Sequence, residues 1–465
     1  MTQNLATTTA PPAPLAARRV VENFLWPLFV SLHSFGLLTG VMLSSIFLVD
    51  RFGRRPTTIT ASVLSLATGV CVLLAHSLGS FPLLCVLRYV GGCIAGGNII
   101  SASLLISEAA PTRWRGFFVG LTSPMYRFGS LCSGLAGLPI AFGTASRWHI
   151  GLAIGYIVPA LIAFPVTIWM HESPKQLFLS AVTVADDREP FVSREPDVDE
   201  KTKLVTDPSM DEKDAGRMRR VRASLEFYQG AELVEPMVQE LHREQRSHNE
   251  RHSWRAMLSR DRPDLRTAVF IVLALVCTRQ LSGITLLLSF TSQIMHYAGL
   301  PWDSAARMTV LIYTLAFFVA LAGPWVIERC GRRPSYLGAI CLSESLLLLC
   351  GLILLISRTT NSESQVSGWV VGALLAMCVC SFTVLNPSIE TIQYEILPQQ
   401  ARARVVGVAR MFGWLLKSID SFLFPLSMSA IDPSVPFFAL PVLTWPTLRL
   451  HSHKTRTGLT ENVGR

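Results

Sequence analysis

The sequence predicts an all-α polytopic membrane protein made of two related helical bundles. Three observations carry that reading: apolar runs of membrane length, a scarcity of charge, and a polar loop that occurs twice. Of the 465 residues, 50% are hydrophobic and 16% charged, whereas soluble domains average about 25% charged. The loop Asp50-Arg51-Phe52-Gly53-Arg54-Arg55-Pro56 returns as Glu328-Arg329-Cys330-Gly331-Arg332-Arg333-Pro334. Each copy follows one apolar run and precedes another. An acid, a turn-permitting glycine, two arginines and a proline make a short polar connection, and arginines beside a spanning segment mark its cytoplasmic end. A second pair keeps step with the first: Glu108-Ala109-Ala110-Pro111 through Arg115, and Glu395-Ile396-Leu397-Pro398 through Arg402. The acids are 58 residues apart in the first half (Asp50 to Glu108) and 67 in the second (Glu328 to Glu395), which is a parallel internal repeat.

A spanning helix needs roughly 20 mostly apolar residues. After an N-terminal tail, 1–23, such runs fall near 24–49, 57–78, 81–107, 117–141 and 148–170, giving a first bundle over 24–170. The stretch 171–264 is dense in charge and reads as a cytoplasmic linker, helical around 223–246. The second bundle, 265–449, takes runs near 267–296, 305–326, 335–357, 368–393 and 405–429, with a short proline-broken run at 435–449 before a tail, 450–465. Alternating the connections puts every arginine loop and the linker on one side. The second half then has a helix ahead of its arginine loop that the first half lacks, so about 11 spans are recognisable. The expectation is that the first helix is missing from this chain. A truncated sequence explains that better than a natural eleven-span protein, whose unpaired repeat would leave a gap for lipid or a partner to fill.

The formal charge of +9 does not indicate nucleic acid, because the arginines sit in short loops beside apolar runs. The ten cysteines lack metal-ligand spacing and read as small buried hydrophobes. No histidine cluster, Ser/His/Asp constellation or Walker loop is present, so an enzyme is not expected, nor a metal or cofactor. The bilayer and a small solute are the expected partners.

The motifs in order carry a family pattern. Asp50 through Arg55, Arg88 with Gly91, Gly92, Gly96 and Gly97, Glu108 through Arg115, Glu172-Ser173-Pro174-Lys175, Gln280-Leu281-Ser282-Gly283-Ile284, Glu328 through Arg333 and Glu395 through Arg402 are all present. The chain resembles the sugar porter branch of the major facilitator superfamily, the facilitative hexose transporters in particular. The family's closing Pro-Glu-Thr-Lys-Gly motif is absent. The resemblance implies the major facilitator fold, two six-helix bundles that move a hexose or other small polar solute by alternating access, with the plasma membrane as the expected location. A transporter-like sensor, non-transporting or with altered specificity for a charged solute, is the alternative.

Two sets of site residues follow. Asp50, Arg55, Glu108, Arg115, Glu328, Arg333, Glu395 and Arg402 form the expected cytoplasmic gating network, since charges of both signs at helix ends pair across helices and part when the helices separate. Topology signals alone explain the arginines but not the repeated acids. Carrying over the family's sugar-contact positions gives Ser123, Arg279, Gln280, Thr285 and Glu390 as substrate-binding candidates, of which only Gln280 keeps the family residue. Ala316 and Gly413 stand where the family has asparagines. Arg127, Arg279, Glu390, Arg410, Lys417 and Asp420 instead place charge at membrane depth, affordable only when facing a cavity or one another. Arg279 and Glu390 are expected to pair across one cavity.

Overall fold

In a computed structural model the described residues are 24–111, 114–178, 212–249, 263–359, 365–397, 399–430, 434–442 and 444, and all their regular structure is helical. The first group comprises α1 (Trp26–Leu43), α2 (Arg54–Ser77), α3 (Phe81–Ala109), α4 (Thr122–Ala136) and α5 (Trp148–Trp169). Between the groups lie α6 (Glu212–Gln229) and α7 (Val234–Asn249). The second group comprises α8 (Pro263–Leu281), α9 (Ile284–Tyr297), α10 (Trp302–Cys330), α11 (Arg332–Thr359), α12 (Gln365–Ile396) and α13 (Gln399–Ala430). Among the described residues, seven helices are long and apolar enough to cross a bilayer: α1, α2, α3, α5, α10, α11 and α12. Their outer faces carry exposed apolar residues such as Leu74, Ile162, Trp169 and Phe318, which suits contact with lipid rather than water.

Glycine and proline set the element boundaries. Gly53 (φ 97°) and Gly331 (φ 83°) occupy the same conformation in the two arginine loops, in a region that side chains disfavour. Ala110 is extended before Pro111, which ends α3. The run at 267–296 is not one helix. Gly283, left-handed at φ 71°, breaks it into α8 and α9. The run at 117–141 is likewise divided, a short helix Arg115–Gly120 preceding α4, and the linker helix expected at 223–246 is two helices broken at Gly230.

Small residues decide how closely the helices pack. Cβ atoms built at Gly36 and Gly40 of α1 would lie 2.1 Å from the Tyr89 carbonyl oxygen and 2.0 Å from that of Cys93. On α3, Gly92 and Gly96 would meet the His33 and Leu37 carbonyls at 2.3 Å and 2.4 Å. Paired glycines four residues apart thus bring the two backbones together, the close-packing device of membrane helices.

The second group holds the larger core, around Ile294, Ile312, Tyr336, Ile340, Leu375 and Phe437. Phe437 and Leu440 place the short run after α13 within it. The two groups touch through α1 against α13, where Ser34 Oγ donates to Ser421 Oγ at 3.3 Å, and through α4 against α10, where a Cβ at Gly134 would lie 2.9 Å from the Tyr313 ring.

Candidate functional site

Two polar clusters interrupt the apolar bulk, one at the arginine-loop end and one between the helices. The first is built on Arg54. Its Nε lies 3.1 Å from Glu108 Oε2 and its Nη2 donates to Glu108 Oε1 at 3.1 Å, with the side chains 5% and 9% exposed. Arg54 Nη1 also donates to Gln176 Oε1 and, at 3.3 Å, to the Val49 carbonyl. Ser173 Oγ donates to the second oxygen of Glu108. A bidentate guanidinium–carboxylate pair with further hydrogen bonds at this burial is a strong contact in which each charge depends on the other.

Glu172 completes this end. Its Oε1 accepts from the backbone N–H of Arg54 (3.0 Å), Arg55 (3.1 Å) and Ser173 (2.9 Å), and its Oε2 from Arg55 at 3.3 Å. The carboxylate therefore caps the N-terminus of α2, where orphan N–H groups and the helix dipole favour an anion. The linker helices seat beneath it. Ser224 Oγ donates to the Glu172 carbonyl at 2.6 Å and Tyr228 OH to the His171 carbonyl at 2.6 Å. Burial, then the Glu172 charge, raises the Tyr228 phenol above its ordinary value and keeps it a donor. Phe178, Val221, Leu225, Met237, Val238 and Leu241 close a small core between α6, α7 and the end of the first group.

Arg54 takes the acid, while Arg55 donates through Nε and Nη2 to the carbonyls of Thr167 (3.2 Å) and Ile168 (2.5 Å). Those carbonyls lie in the last turn of α5, where a cation meets the favourable end of the dipole. In the second copy, Glu328 is exposed and Arg333 half-buried, and neither has an ion pair among the described residues. Arg329 lies over the Trp325 ring at 4.1 Å. The side chains of Asp50, Arg115, Thr285, Glu395 and Arg402 lie outside the described residues.

The second cluster sits where α8, α12 and α13 converge. Arg279 Nη1 lies 3.6 Å from Glu390 Oε1, and Arg410 Nη2 lies 3.6 Å from Glu390 Oε2. Two guanidiniums thus share one carboxylate. Arg279 Nη1 also donates to Asn386 Oδ1 at 3.3 Å. Asn386 stands four residues before Glu390, on the same helical face. Its role was not foreseen from the sequence, although that spacing could have pointed to it. Gly413 makes room for this arrangement, since a Cβ there would stand 3.8 Å from Arg279 Nη2 and 2.9 Å from Val276 Cγ1. Where the family has an asparagine, this chain has space for a guanidinium.

From the first group, α4 brings Tyr126 and Arg127. Tyr126 is 58% exposed, and the Arg127 guanidinium lies 6.0 Å from its ring centroid. Lys417 also sits 4.5 Å from the Trp414 ring centroid. Arg127 is 5% exposed and its Nη1 has no hydrogen-bond partner. Gln280 is buried, and Ser123 is half-buried one turn before Arg127. Among the described residues no group of His, Cys, Asp and Glu is arranged to hold a metal ion.

The sugar (and other) transporter family matches residues 2–445. The chain belongs to this family. It is 24% identical to the mouse solute carrier family 2, facilitated glucose transporter member 9, over 88% of this chain and 69% of that one. It is 24% identical to the glucose transporter GlcP of Staphylococcus epidermidis, over 83% and 75%. Its fold is similar to that of the partially occluded inward open conformation of the xylose transporter XylE from E. coli, at TM-score 0.67, 17% identity, and coverage of 93% and 92%. The chain is therefore a multi-pass membrane transporter of the sugar porter type with the major facilitator fold, and not an enzyme.

Proposed function

We propose that this sugar porter moves a hexose or another small polar solute of similar size across the plasma membrane. The solute site is the space bounded by Ser123 and Tyr126 of the first group and by Arg279, Gln280, Asn386 and Glu390 of the second. The carrying observation is the Arg279–Glu390–Arg410 arrangement with Asn386, a partly exposed polar cluster contributed by three helices. A solute losing water there finds donors and acceptors for its hydroxyls. Transport follows as the two groups rock about that site, with Gly283 and the α1/α13 and α4/α10 seams absorbing the motion. Glu108, with Arg54 and Glu172, holds the arginine-loop end of the first group as one unit, and Arg115, Glu328, Arg333, Glu395 and Arg402 belong to the surfaces that meet and part there. The relatives' names support a polyol: facilitated glucose transporters, and the major myo-inositol transporter IolT of Bacillus subtilis. Counterflow of labelled D-glucose and myo-inositol into proteoliposomes of the full chain tests this reading. Uptake above protein-free vesicles for either solute is expected, and no uptake of either would overturn the polyol assignment.

A further inference from the structure

Two imidazoles lie face to face at the end of the first group that is remote from the arginine loop. His76 stands in the last turn of α2 and His149 in the first turn of α5. Their ring centroids are 3.6 Å apart, with the planes 11° from parallel. The Trp148 indole meets the His76 ring edge-on at 5.7 Å. Beneath them Val72 and Ala75 of α2, Leu84 and Leu87 of α3 and Ala153 of α5 form a small buried core. The stack therefore closes the seam between α2 and α5 over that core. Neither histidine belongs to the solute site or to the Arg54 cluster.

Three features of this contact suit two neutral rings and oppose two charged ones. His149 Nδ1 is buried without a hydrogen-bond partner. A neutral imidazole can leave that nitrogen as a bare acceptor, whereas the imidazolium carries hydrogen on both nitrogens and would bury a charged N–H with nothing to receive it. Position is the second feature, since His149 lies at the N-terminal end of α5, where the helix dipole disfavours a cation. The third is the lack of an anion on the elements that pack there. The sequence has no Asp or Glu between Asp50 and Glu108, nor between Glu108 and Glu172, so α2, α5 and all but the far end of α3 contain none. Glu108 and Glu172 both lie at the arginine-loop end. The titratable and charged residues that α2, α3 and α5 bring to this half of the group are Cys71, Cys85, Arg88 and Tyr156, with Arg147 just ahead of α5. The permanent charges among them are positive.

We propose that the His76–His149 stack is an acid-sensitive clasp between α2 and α5, closed while both rings are neutral and released when both take a proton. Once the helix ends have parted, each imidazole is free to protonate near its ordinary value of about 6.5. Below that pH the parted state binds more protons than the closed one. The contact is therefore at full strength above about pH 7 and is lost as pH falls toward about 5. Two unit charges at the 3.6 Å of this stack repel one another even with full solvent screening. Release uncovers the edge of the core at Ala75 and Ala153. The arginine-loop end, held by Arg54, Glu108 and Glu172, stays in place.

The test is hydrogen–deuterium exchange of the full chain in detergent, read by mass spectrometry at about pH 7.5 and about pH 5 and corrected for the intrinsic effect of pH on amide exchange. Segments 70–77 and 148–155 are expected to lose protection by about tenfold at the lower pH, while 54–61, at the other end of α2, keeps it. Comparing the two ends of one helix within one sample separates local release from general acid unfolding. His149→Phe keeps a ring in the stack and cannot take a proton, so the acid-dependent loss is expected to disappear. His149→Gln, neutral at both pH values, serves the same purpose where the phenylalanine variant folds poorly. Equal protection at the two pH values in the parent chain would overturn the clasp. A loss that persists in the neutral variants, or that extends equally to 54–61, would overturn it as well.

Discussion

The two arginine loops are close copies in sequence and in backbone, and they differ in what lies above them. In the first, Gly53 turns the chain beneath the Glu172 carboxylate, whose Oε2 would lie 2.6 Å from a Cβ built on that glycine. In the second, Gly331 makes the same turn with only Pro334 near among the described residues, at 3.7 Å. Glu172 belongs to the Glu-Ser-Pro motif that follows the last helix of the first group. The corresponding closing motif after the last run of the second group is absent from the sequence. Among the described residues the repeat keeps the turn but shows the capping anion in the first copy alone. One loop is tied to α2, α3, α5 and the linker helices, and the other shows no such carboxylate cap among its described residues. A repeated motif fixes a conformation; the contacts that rigidify it come from elsewhere in the chain.

The sharpest way to break this comparison is to remove the acid under Arg54. Glu108→Ala leaves a buried guanidinium without its carboxylate, and apparent stability in detergent should fall by about 3–5 kcal/mol, read as the midpoint of thermal unfolding. The glycines come next. Gly331→Ala forces a side chain into a disfavoured region at a cost of about 1–2 kcal/mol. Gly53→Ala adds a collision with Glu172 and should cost about 1 kcal/mol more, since it also displaces a helix cap. Equal losses at the two glycines would show that the carboxylate does not distinguish the loops. In the central cluster, the Glu390 side chain is 43% exposed and that of Arg279 is 22% exposed, so solvent screening reduces their pairing. Glu390→Gln should cost about 1 kcal/mol or less, and the double change Arg279→Gln with Glu390→Trp should be no worse than the single one. The smallest effect is expected at Glu328. Exposed and without an ion pair among the described residues, it should change stability by less than about 0.5 kcal/mol when replaced by Gln.

Much of this was legible in the sequence for identifiable reasons. Apolar length and the positions of glycine, proline and arginine are local quantities, so helices, repeat and family could be read directly. The break at Gly283 was harder to see because 267–296 is mostly apolar on both sides of it, and hydropathy does not register a left-handed residue. The Arg279–Glu390 pairing followed from cost, since opposite charges at that depth need each other or water. The choice of Arg54 over Arg55 did not follow. Adjacent residues on a helix point about 100° apart, and which of them meets Glu108 depends on the rotation of α2 set by Gly53 and Glu172. The sharing of Glu390 with Arg410 and the place of Asn386 likewise depend on how three distant helices are assembled.

The central claim is that the space around Arg279, Asn386 and Glu390 opens to water on alternate sides of the membrane. With the ten native cysteines replaced, Asn386→Cys offers a thiol in that space for membrane-impermeant reagents applied from either face of sealed vesicles. The account predicts labelling from both faces, with addition of a transported solute slowing labelling on one face relative to the other. A thiol labelled from neither face would contradict it, because the charges would then be sealed inside the bundle and not lining a path.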